Sequence, residues 1–212
     1  MDIHRVYQTL MKAFRFRERR MQMFVSAMQP APTSRILDLG GTAFIWQYIG
    51  MQPQITLLNL DPQHDGIQYP PNIKYVVGNA TRLPYRDGEF DIVFSNSVIE
   101  HVGDWEEISR FAAEARRVGR KLWVQTPARE FVIEPHVIAP LVHWLPRRAQ
   151  VFLIRWFSVW GWVTRPSRER VEEFLDGTRL LRKSEFEQLF PDCEIRVERW
   201  FGLPKSFIAI RN

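Results

Sequence analysis

Short, nearly continuous apolar runs alternate with longer segments of mixed polarity through the middle of this chain. Apolar runs that end at glycine, proline or asparagine are typical of buried strands. Buried strands separated by helical segments predict a parallel sheet with helices on both faces. The predicted strands, in chain order, are Arg35–Leu39, residues 55–60, Ile73–Val77, residues 90–95 and residues 121–125. We therefore expect an α/β fold built on a doubly wound sheet.

The segments outside this alternation follow other patterns. Apolar residues recur at roughly helical spacing over residues 2–28, and two prolines follow, so residues 1–30 are predicted to contain an N-terminal helix. A second helical pattern, Trp105–Val118, begins after the capping residue Asp104. Near the C-terminus, residues 184–190 predict a short helix, and Glu194–Trp200 and residues 206–211 predict two strands. Because a short connection pairs strands antiparallel, we expect the final strand to reverse direction in a mostly parallel sheet.

Residues 128–182 interrupt the alternation with a segment rich in proline, arginine and tryptophan. We interpret this segment as a helical, aromatic-rich insertion after the fifth strand. Dense aromatic side chains flanked by arginine suit a lid over a hydrophobic acceptor or a surface that touches a membrane. A cap packed on the sheet and a dimer face fit the same pattern. The sequence leaves these alternatives open.

Composition narrows the class of protein. The 212 residues are 45% apolar, which suffices for one globular domain over residues 1–212. The lone Cys193 excludes an internal disulfide framework and a multi-cysteine zinc site. We expect a cytoplasmic protein, because neither a signal peptide nor a spanning segment is recognisable, with peripheral membrane contact as the alternative. The net charge of +5 is moderate and no RNA-binding module accompanies it, so nucleic acid is not an expected partner. The oligomeric state is not determined by the sequence.

Polar residues and glycines lie where the predicted strands end, which is where open parallel sheets bind ligands. Asp38 lies in the first strand, and Gly40 and Gly41 follow it, where glycine permits a sharp turn and close approach of a ligand. Asp61 follows the second strand, where a carboxylate can accept both hydroxyls of a ribose and Asn59 can accept one. Each motif alone also fits an ordinary turn.

A third such motif, Asn79 followed by Ala80, comes after the third strand. The side-chain carbonyl of Asn79 can accept from an adenine amino group, and the backbone amide of Ala80 can donate to a ring nitrogen. An Asx-type turn is the alternative interpretation.

In order and spacing, these motifs resemble the class I methyltransferases of the type 11 group. The resemblance covers about residues 35–126 and resumes near the C-terminus. The residues on which the resemblance depends are Leu37-Asp38-Leu39-Gly40-Gly41, Asp61, Gly78-Asn79-Ala80, Leu83-Pro84, Phe90-Asp91-Ile92-Val93 and Ser97-Val98-Ile99-Glu100-His101-Val102. The resemblance implies a Rossmann-like sheet of seven strands and S-adenosylmethionine as cofactor.

The same resemblance implies a role for each strand-end residue. The loop from Asp38 through Gly40 and Gly41 would border the methionine part of the cofactor. Asp61 or Asn59 would hold the ribose, and Asn79 with Ala80 the adenine. Ser95 and Asn96, at the end of the fourth strand, would lie beside the methionine part.

The chain departs from the family pattern at two places. Thr42 and Phe44 stand where the family's loop has further glycines, and Asn79 replaces a common acidic residue. A nicotinamide enzyme would instead need Gly-x-Gly-x-x-Gly after the first strand. Thr42 and Ile45 occupy the second and third of those glycine positions, which disfavours a dehydrogenase.

The resemblance implies methyl transfer by in-line displacement, and we expect a small-molecule or lipid-linked acceptor. An oxygen acceptor needs a general base, for which His101 is the first candidate and His136 the second. His136 and His143 are too far apart for the His-Glu-x-x-His zinc arrangement, so no metal is expected. A non-catalytic protein that binds the cofactor, or uses the fold as an interaction scaffold, is the alternative.

Overall fold

The computed structural model describes residues 16–62 and 68–212. Seven strands form one sheet in the order β3-β2-β1-β4-β5-β9-β8, and β6 and β7 form a separate hairpin. Strand β9 runs antiparallel to both of its neighbours, whereas the pairs among β1 to β5 are parallel. The doubly wound sheet and its reversed final strand are therefore confirmed. The strands are β1 Arg35–Leu39, β2 Gln54–Asn59, β3 Ile73–Val77, β4 Phe90–Asn96, β5 Gly119–Pro127, β6 Ile133–Glu134, β7 Ala139–Pro140, β8 Glu194–Trp200 and β9 Leu203–Arg211.

Six α-helices accompany the sheet within the described part of the chain: α1 Phe16–Met28, α2 Trp105–Val118, α3 Arg147–Phe157, α4 Val159–Thr164, α5 Arg168–Asp176 and α6 Lys183–Leu189. The helix predicted over residues 1–30 is present from Phe16, and its earlier part lies outside the described residues. Asp104 caps α2 as predicted, because its side chain accepts from the backbone N–H of Glu107 at 3.0 Å. Ala43–Tyr48 forms a 3₁₀ helix after β1.

Several boundaries differ from the sequence prediction. Strand β2 ends at Asn59, and Leu60 is 71% exposed, because the chain leaves the sheet there. Strand β4 extends by one residue to Asn96, and β5 reaches Pro127 through pairing with β9. The turn between β8 and β9 is shorter than predicted, since β9 already begins at Leu203.

Alternating side chains of the strands build a hydrophobic core on each face of the sheet. On one face, the ring of Phe24 from α1 makes edge contacts with Trp46, Phe94 and Trp123, at centroid distances of 5.7, 5.1 and 5.7 Å. The other face packs against α2 and α6, with Phe111 among its buried side chains. Because helices cover both faces, the exposed edge where the parallel strands end is left for ligand binding.

The insertion is helical, as predicted, and has its own small core. Helices α3, α4 and α5 and the β6–β7 hairpin lie within it. Its buried apolar residues are Val137, Ala139, Val142, Ile154 and Val171. No helix in the described part of the chain combines the length and the apolar character that crossing a bilayer requires.

Candidate functional site

A cavity of about 430 Å³ lies beyond the carboxyl ends of β1, β2 and β3. We call it the strand-end cavity. Five of the predicted cofactor residues line it, and its volume is within the usual range for small-molecule sites. The predicted residues in its wall are Gly40, Asn59, Asp61, Asn79 and Ala80, and further wall residues are Ser97, Val98, His101 and Glu107.

The glycine loop, Gly40 and Gly41, follows β1 and packs so closely against Val98 and Asp38 that neither glycine has room for a side chain. Gly40 has a φ of +74°, and a Cβ there would lie 2.5 Å from a methyl group of Val98. Its N–H donates to the Leu58 carbonyl at 2.8 Å, which holds the loop against β2. A Cβ on Gly41 would lie 1.9 Å from a carboxylate oxygen of Asp38. Packing therefore requires glycine at both positions, and the backbone conformation requires it at Gly40 as well.

Asp38 is fully buried beneath this loop and does not line the cavity. Its Oδ2 accepts from the Trp46 indole N–H at 2.8 Å. Its Oδ1 has no hydrogen-bond partner among the described residues. Burial raises the pKa of the Asp38 carboxyl to about 7, and the bond from Trp46 offsets part of this effect.

Asn59 and Asp61 lie together at the end of β2. The side-chain N–H of Asn59 donates to the Gly41 carbonyl at 3.0 Å, so Asn59 ties the glycine loop to β2. The backbone carbonyl of Asp61 accepts from the Tyr75 hydroxyl at 2.6 Å, which fixes the chain at this position. Both side chains belong to the cavity wall, where the ribose contact was predicted.

Asn79 forms the Asx turn that the sequence left open as an alternative. Its Oδ1 accepts from both the backbone N–H and the hydroxyl of Thr81, each at 2.9 Å. Asn79 and Ala80 nevertheless lie in the cavity wall, next to Gly78. The side-chain carbonyl assigned to adenine therefore already has two donors.

The structure places Ser95 and Asn96 away from the strand-end cavity. Ser95 is fully buried, and its hydroxyl donates to the Leu39 carbonyl at 3.0 Å, which joins β4 to β1. Asn96 accepts from Arg20 at 2.8 Å. The next residue, Ser97, lines the cavity instead, with an unusual positive φ of 57°.

A second cavity, of about 330 Å³, lies between α1, β5, the insertion and the β8–β9 pair. We call it the flanking cavity. Ser97 and His101 belong to the walls of both cavities, so the two are adjacent. The apolar part of its wall consists of Phe16, Pro127, Phe131, Ile133, Pro135, Ile138 and Trp200.

The wall of the flanking cavity also contains the cationic side chains of Arg20 and Lys205. Arg20 is only 5% exposed and donates to Glu198 at 2.6 Å and to Gln125 at 3.0 Å. Lys205 lies 3.6 Å from the same carboxylate of Glu198. Burial alone would raise the pKa of Glu198, but Arg20 and Lys205 outweigh it and hold that pKa at about 2. Burial lowers the pKa of Lys205 to about 8, and Arg20 acts in the same direction.

Two histidines that are distant in sequence meet at the junction of the cavities. The Nε2 atoms of His101 and His136 are 3.1 Å apart. The Nδ1 of His136 lies 2.6 Å from Glu134, and the Nδ1 of His101 lies 3.3 Å from the Gly177 carbonyl. Glu100 is fully buried nearby, and Thr126 donates to its Oε2 at 3.0 Å.

The three titratable groups at this junction respond differently to burial. Burial raises the pKa of Glu100 to about 7, against the opposing effect of His136. Burial and the neighbouring His136 lower the pKa of His101. Burial would also lower the pKa of His136, but Glu134 and Glu100 outweigh it and raise that pKa.

Sequence reasoning found the histidines but missed several other residues at these cavities. Ser97 directly follows β4, so its position after a strand could have identified it as a cavity residue. The sequence prediction names only Ser95 and Asn96 at this strand end. Arg20 and Glu198 are separated by 178 positions, and no local pattern relates them.

Part of this chain, including most of the residues that line the strand-end cavity, is similar to known proteins. Residues 35–121 match a family model, the type 11 model described as methyltransferase domain. A SAM-dependent methyltransferase from Methanosarcina mazei aligns with a TM-score of 0.51 at 16% identity, covering 85% of this chain and 92% of that one.

Two further solved structures carry different names. A Rhodobacter sphaeroides protein provisionally named a Zn-dependent alcohol dehydrogenase aligns with a TM-score of 0.58 at 13% identity, over 91% of this chain and 88% of that one. A protein from Anabaena variabilis, provisionally named a methyltransferase of an antibiotic biosynthesis pathway, aligns with a TM-score of 0.49 at 19% identity over 65% of this chain. This chain covers 59% of that protein, less than two thirds of its length. At these identities, the Methanosarcina mazei and Rhodobacter sphaeroides alignments show a shared fold, and a fold alone does not assign a reaction.

Proposed function

We propose that this chain transfers a methyl group from S-adenosylmethionine to a small-molecule or lipid-linked acceptor. The match of residues 35–121 to the methyltransferase-domain family model supports this proposal. When bound, the cofactor supplies a methyl carbon activated by its sulfonium, which an acceptor displaces in line. The protein then has to hold the cofactor, align the acceptor and exclude water.

The strand-end cavity has features that fit this cofactor. A Cβ on Gly40 would collide with Val98, so only glycine lets the loop follow this path along the cavity wall, where its backbone faces a ligand. Asp61 adds a carboxylate of the kind that accepts ribose hydroxyls. Asp38 keeps a buried oxygen without a partner below the loop, which favours a cation or a bridging water near it.

The observation that carries the proposal is the contact between the two cavities at Ser97 and His101. Methyl transfer needs the donor carbon and the acceptor atom in one line at close range. A cofactor in the strand-end cavity and an acceptor in the flanking cavity would meet at these two residues. His101 is thereby positioned beside the reacting group of the acceptor.

The walls of the flanking cavity favour an amphipathic acceptor. Its apolar side, with Phe131 and Trp200, suits a hydrophobic body. On its charged side, Arg20 and Lys205 exceed the single carboxylate of Glu198 by one positive charge. An acceptor that combines an apolar body with an anionic group fits this arrangement.

The outer face of the insertion supports a lipid-linked acceptor in particular. Phe152 and Trp156 are one helical turn apart on α3 and are 56% and 54% exposed. Trp162 is 66% exposed, and the Arg155 guanidinium lies 5.1 Å from the centre of the Trp156 ring. Exposed aromatic groups beside arginine are the composition of surfaces that bind at a membrane interface.

Asp61→Ala is expected to weaken binding of S-adenosylmethionine by about 10- to 100-fold, because a hydrogen bond to a charged group contributes about 1.5–3 kcal/mol. Isothermal titration of the purified protein measures this change. Asp87→Ala is the matched control, since Asp87 is exposed, pairs with Arg117 and lies outside both cavities. Equal affinity in both variants would contradict the ribose contact.

Turnover has to be tested separately from binding. We expect labelled S-adenosylmethionine and the protein to add one methyl group to a component of a cell extract, detected by mass spectrometry. Tight cofactor binding without any methylated product, in soluble and lipid fractions alike, would favour the non-catalytic scaffold.

Phe152→Ala combined with Trp156→Ala is expected to reduce binding to vesicles that contain phosphatidylglycerol by about tenfold or more, because burying each side chain contributes on the order of 1.5–3 kcal/mol. Flotation or sedimentation with vesicles measures the bound fraction. Phe201→Ala is the control, since Phe201 is 87% exposed and lies outside the insertion. Absence of vesicle binding by the native protein would remove the membrane contact and leave a soluble acceptor.

A further inference from the structure

Three potential metal ligands converge at the junction of the two cavities. One ligand atom each from Glu100, His101 and His136 lies within 4.8 Å of the others. The two Nε2 atoms are 3.1 Å apart, and Glu100 Oε1 lies 3.8 Å from the Nε2 of His136. Metal bond lengths of about 2.0–2.2 Å place tetrahedral ligands roughly 3.3 Å apart. The two histidine nitrogens are already at about this separation, and Glu100 would have to approach them by up to about 1.5 Å to coordinate the same ion.

The two imidazole rings face each other through their Nε2 atoms, and protein groups contact both Nδ1 atoms. The Nδ1 of His101 lies 3.3 Å from the Gly177 carbonyl, which can only accept, and 3.3 Å from the Thr178 hydroxyl, which can donate or accept. Glu134 lies 2.6 Å from the Nδ1 of His136, which places a proton there. With both Nδ1 atoms protonated, the two Nε2 atoms would be free to act as metal ligands, which is how neutral imidazoles bind metal ions. A proton on one of the two Nε2 atoms gives a hydrogen bond at the observed 3.1 Å, and a bound ion would take the place of that proton.

Glu100 supplies the third, independent observation. Its side chain is fully buried, and its Oε1 has no hydrogen-bond partner among the described residues. The partnerless oxygen is the one that faces His136. A buried carboxylate oxygen without a partner is costly, and coordination to a cation would satisfy it.

We propose that Glu100, His101 and His136 bind one divalent first-row transition metal ion. Two imidazoles and one carboxylate are a donor set for zinc, and also for iron. Glu134 and the Gly177 carbonyl hold the rings from behind, as outer partners do in metal–histidine sites. The sequence predicts no metal, because it has one cysteine and because His136 and His143 are too far apart for a His-Glu-x-x-His site, whereas folding brings Glu100 and His101 to His136.

The position of the site gives the ion a role that rests on the proposed methyl transfer. His101 lines both cavities and His136 lines the flanking cavity, so an open coordination position would face the acceptor. A metal ion there would bind an oxygen of the acceptor and lower its pKa, so that this oxygen would release its proton to solvent. The resulting anion would form the bond to the methyl carbon as the carbon–sulfur bond of the cofactor breaks. This assignment replaces the general-base role predicted for the two histidines, because their Nε2 lone pairs are used by the metal.

The test is titration of tag-free, metal-free protein with Zn²⁺ by calorimetry and with Co²⁺ by visible absorption. We expect one ion per chain and, for Co²⁺, the absorption bands of a low-symmetry nitrogen and oxygen site. His136→Ala and Glu100→Gln should each weaken Zn²⁺ binding by about 100-fold or more, and Glu134→Gln by about 10- to 100-fold. His143→Ala is the matched control, since it removes a histidine of the insertion that bonds to the Arg129 carbonyl.

Retained titration with S-adenosylmethionine in the metal-free variants would show that they are folded. Absence of Zn²⁺ binding by the native protein, or equal Zn²⁺ binding in all variants, would overturn the proposal. Because the Zn²⁺ titration requires no cofactor and no turnover, Zn²⁺ binding without methylation would support the metal site and contradict the proposed function. If removal of the metal does not change the rate of methylation, the metal has no catalytic role, and that part of the proposal is overturned while the binding site stands.

Discussion

A Gly40→Ala variant is expected to bind S-adenosylmethionine about tenfold more weakly or worse, because a left-handed residue with a Cβ costs about 1–2 kcal/mol and a clash is added to that strain. The new Cβ would lie 2.5 Å from one methyl group of Val98 and 2.6 Å from the other. Valine is short and stiff, so it cannot move away as a long side chain can. The loop must shift instead, and it forms a wall of the strand-end cavity.

The control for this prediction is Gly50→Ala. Gly50 also has a positive φ, of 67°, but a Cβ there would meet nothing within 4 Å, and the residue lies outside the cavity. Calorimetric titration of both variants therefore separates backbone strain from damage to the site. A similar loss of affinity in both would show a general effect of strain. Native affinity in Gly40→Ala would contradict the role of this loop in holding the cofactor.

The location of the strand-end cavity could be predicted because it depends on a rule of topology rather than on particular contacts. Parallel strands end on the same edge of a sheet, so residues that follow successive strands come together there. Gly40, Asn59, Asp61 and Asn79 are up to 39 positions apart, yet all four line one cavity. Apolar runs locate the strands well enough to identify them.

Side-chain hydrogen bonding could not be predicted in the same way. Asn79 occupies the position that the family pattern assigns to an adenine contact. Its side-chain carbonyl nevertheless accepts hydrogen bonds from Thr81 within its own turn. The family resemblance implies that Ser95 lies beside the cofactor. In the structure, β4 continues past Ser95 to Asn96, and the hydroxyl of Ser95 donates to the neighbouring strand β1. A shift of one or two residues decides whether a side chain faces the cavity or the core.

The flanking cavity and the histidine pair depend on the path of the insertion. His101 and His136 are 35 positions apart, and their contact requires the β6–β7 hairpin to fold back beside β4. Composition indicated an aromatic-rich insertion but not which of its residues would face inward. The exposed position of Phe152 and Trp156 also became clear only from the fold, because the same helix buries Ile154.

Glu198→Gln is expected to lower the free energy of unfolding by about 3 kcal/mol, since removing one partner of a buried ion pair leaves the other charge uncompensated. Arg20 and Glu198 expose only 6% and 10% of their side chains. For a chain of this size, about 3 kcal/mol corresponds to a fall in Tm of roughly 6–12 °C. Urea unfolding measures the change. Glu194→Gln is the matched control on the same strand, because Glu194 is exposed and its pair with Arg196 is a surface salt bridge.

The pH dependence distinguishes lost charge pairing from lost packing. The pKa of Glu198 is about 2 in the folded protein and 4.5 ordinarily, so the folded state binds fewer protons between these values. The contribution of the carboxylate is therefore complete above about pH 4.5 and is lost as the pH falls towards 2, which over this interval amounts to about 3 kcal/mol. The difference in stability between the native protein and Glu198→Gln should accordingly narrow by about half at pH 3. A difference that is equal at pH 7 and pH 3 would mean that the glutamine disturbs packing, and that the buried pair contributes little through its charge.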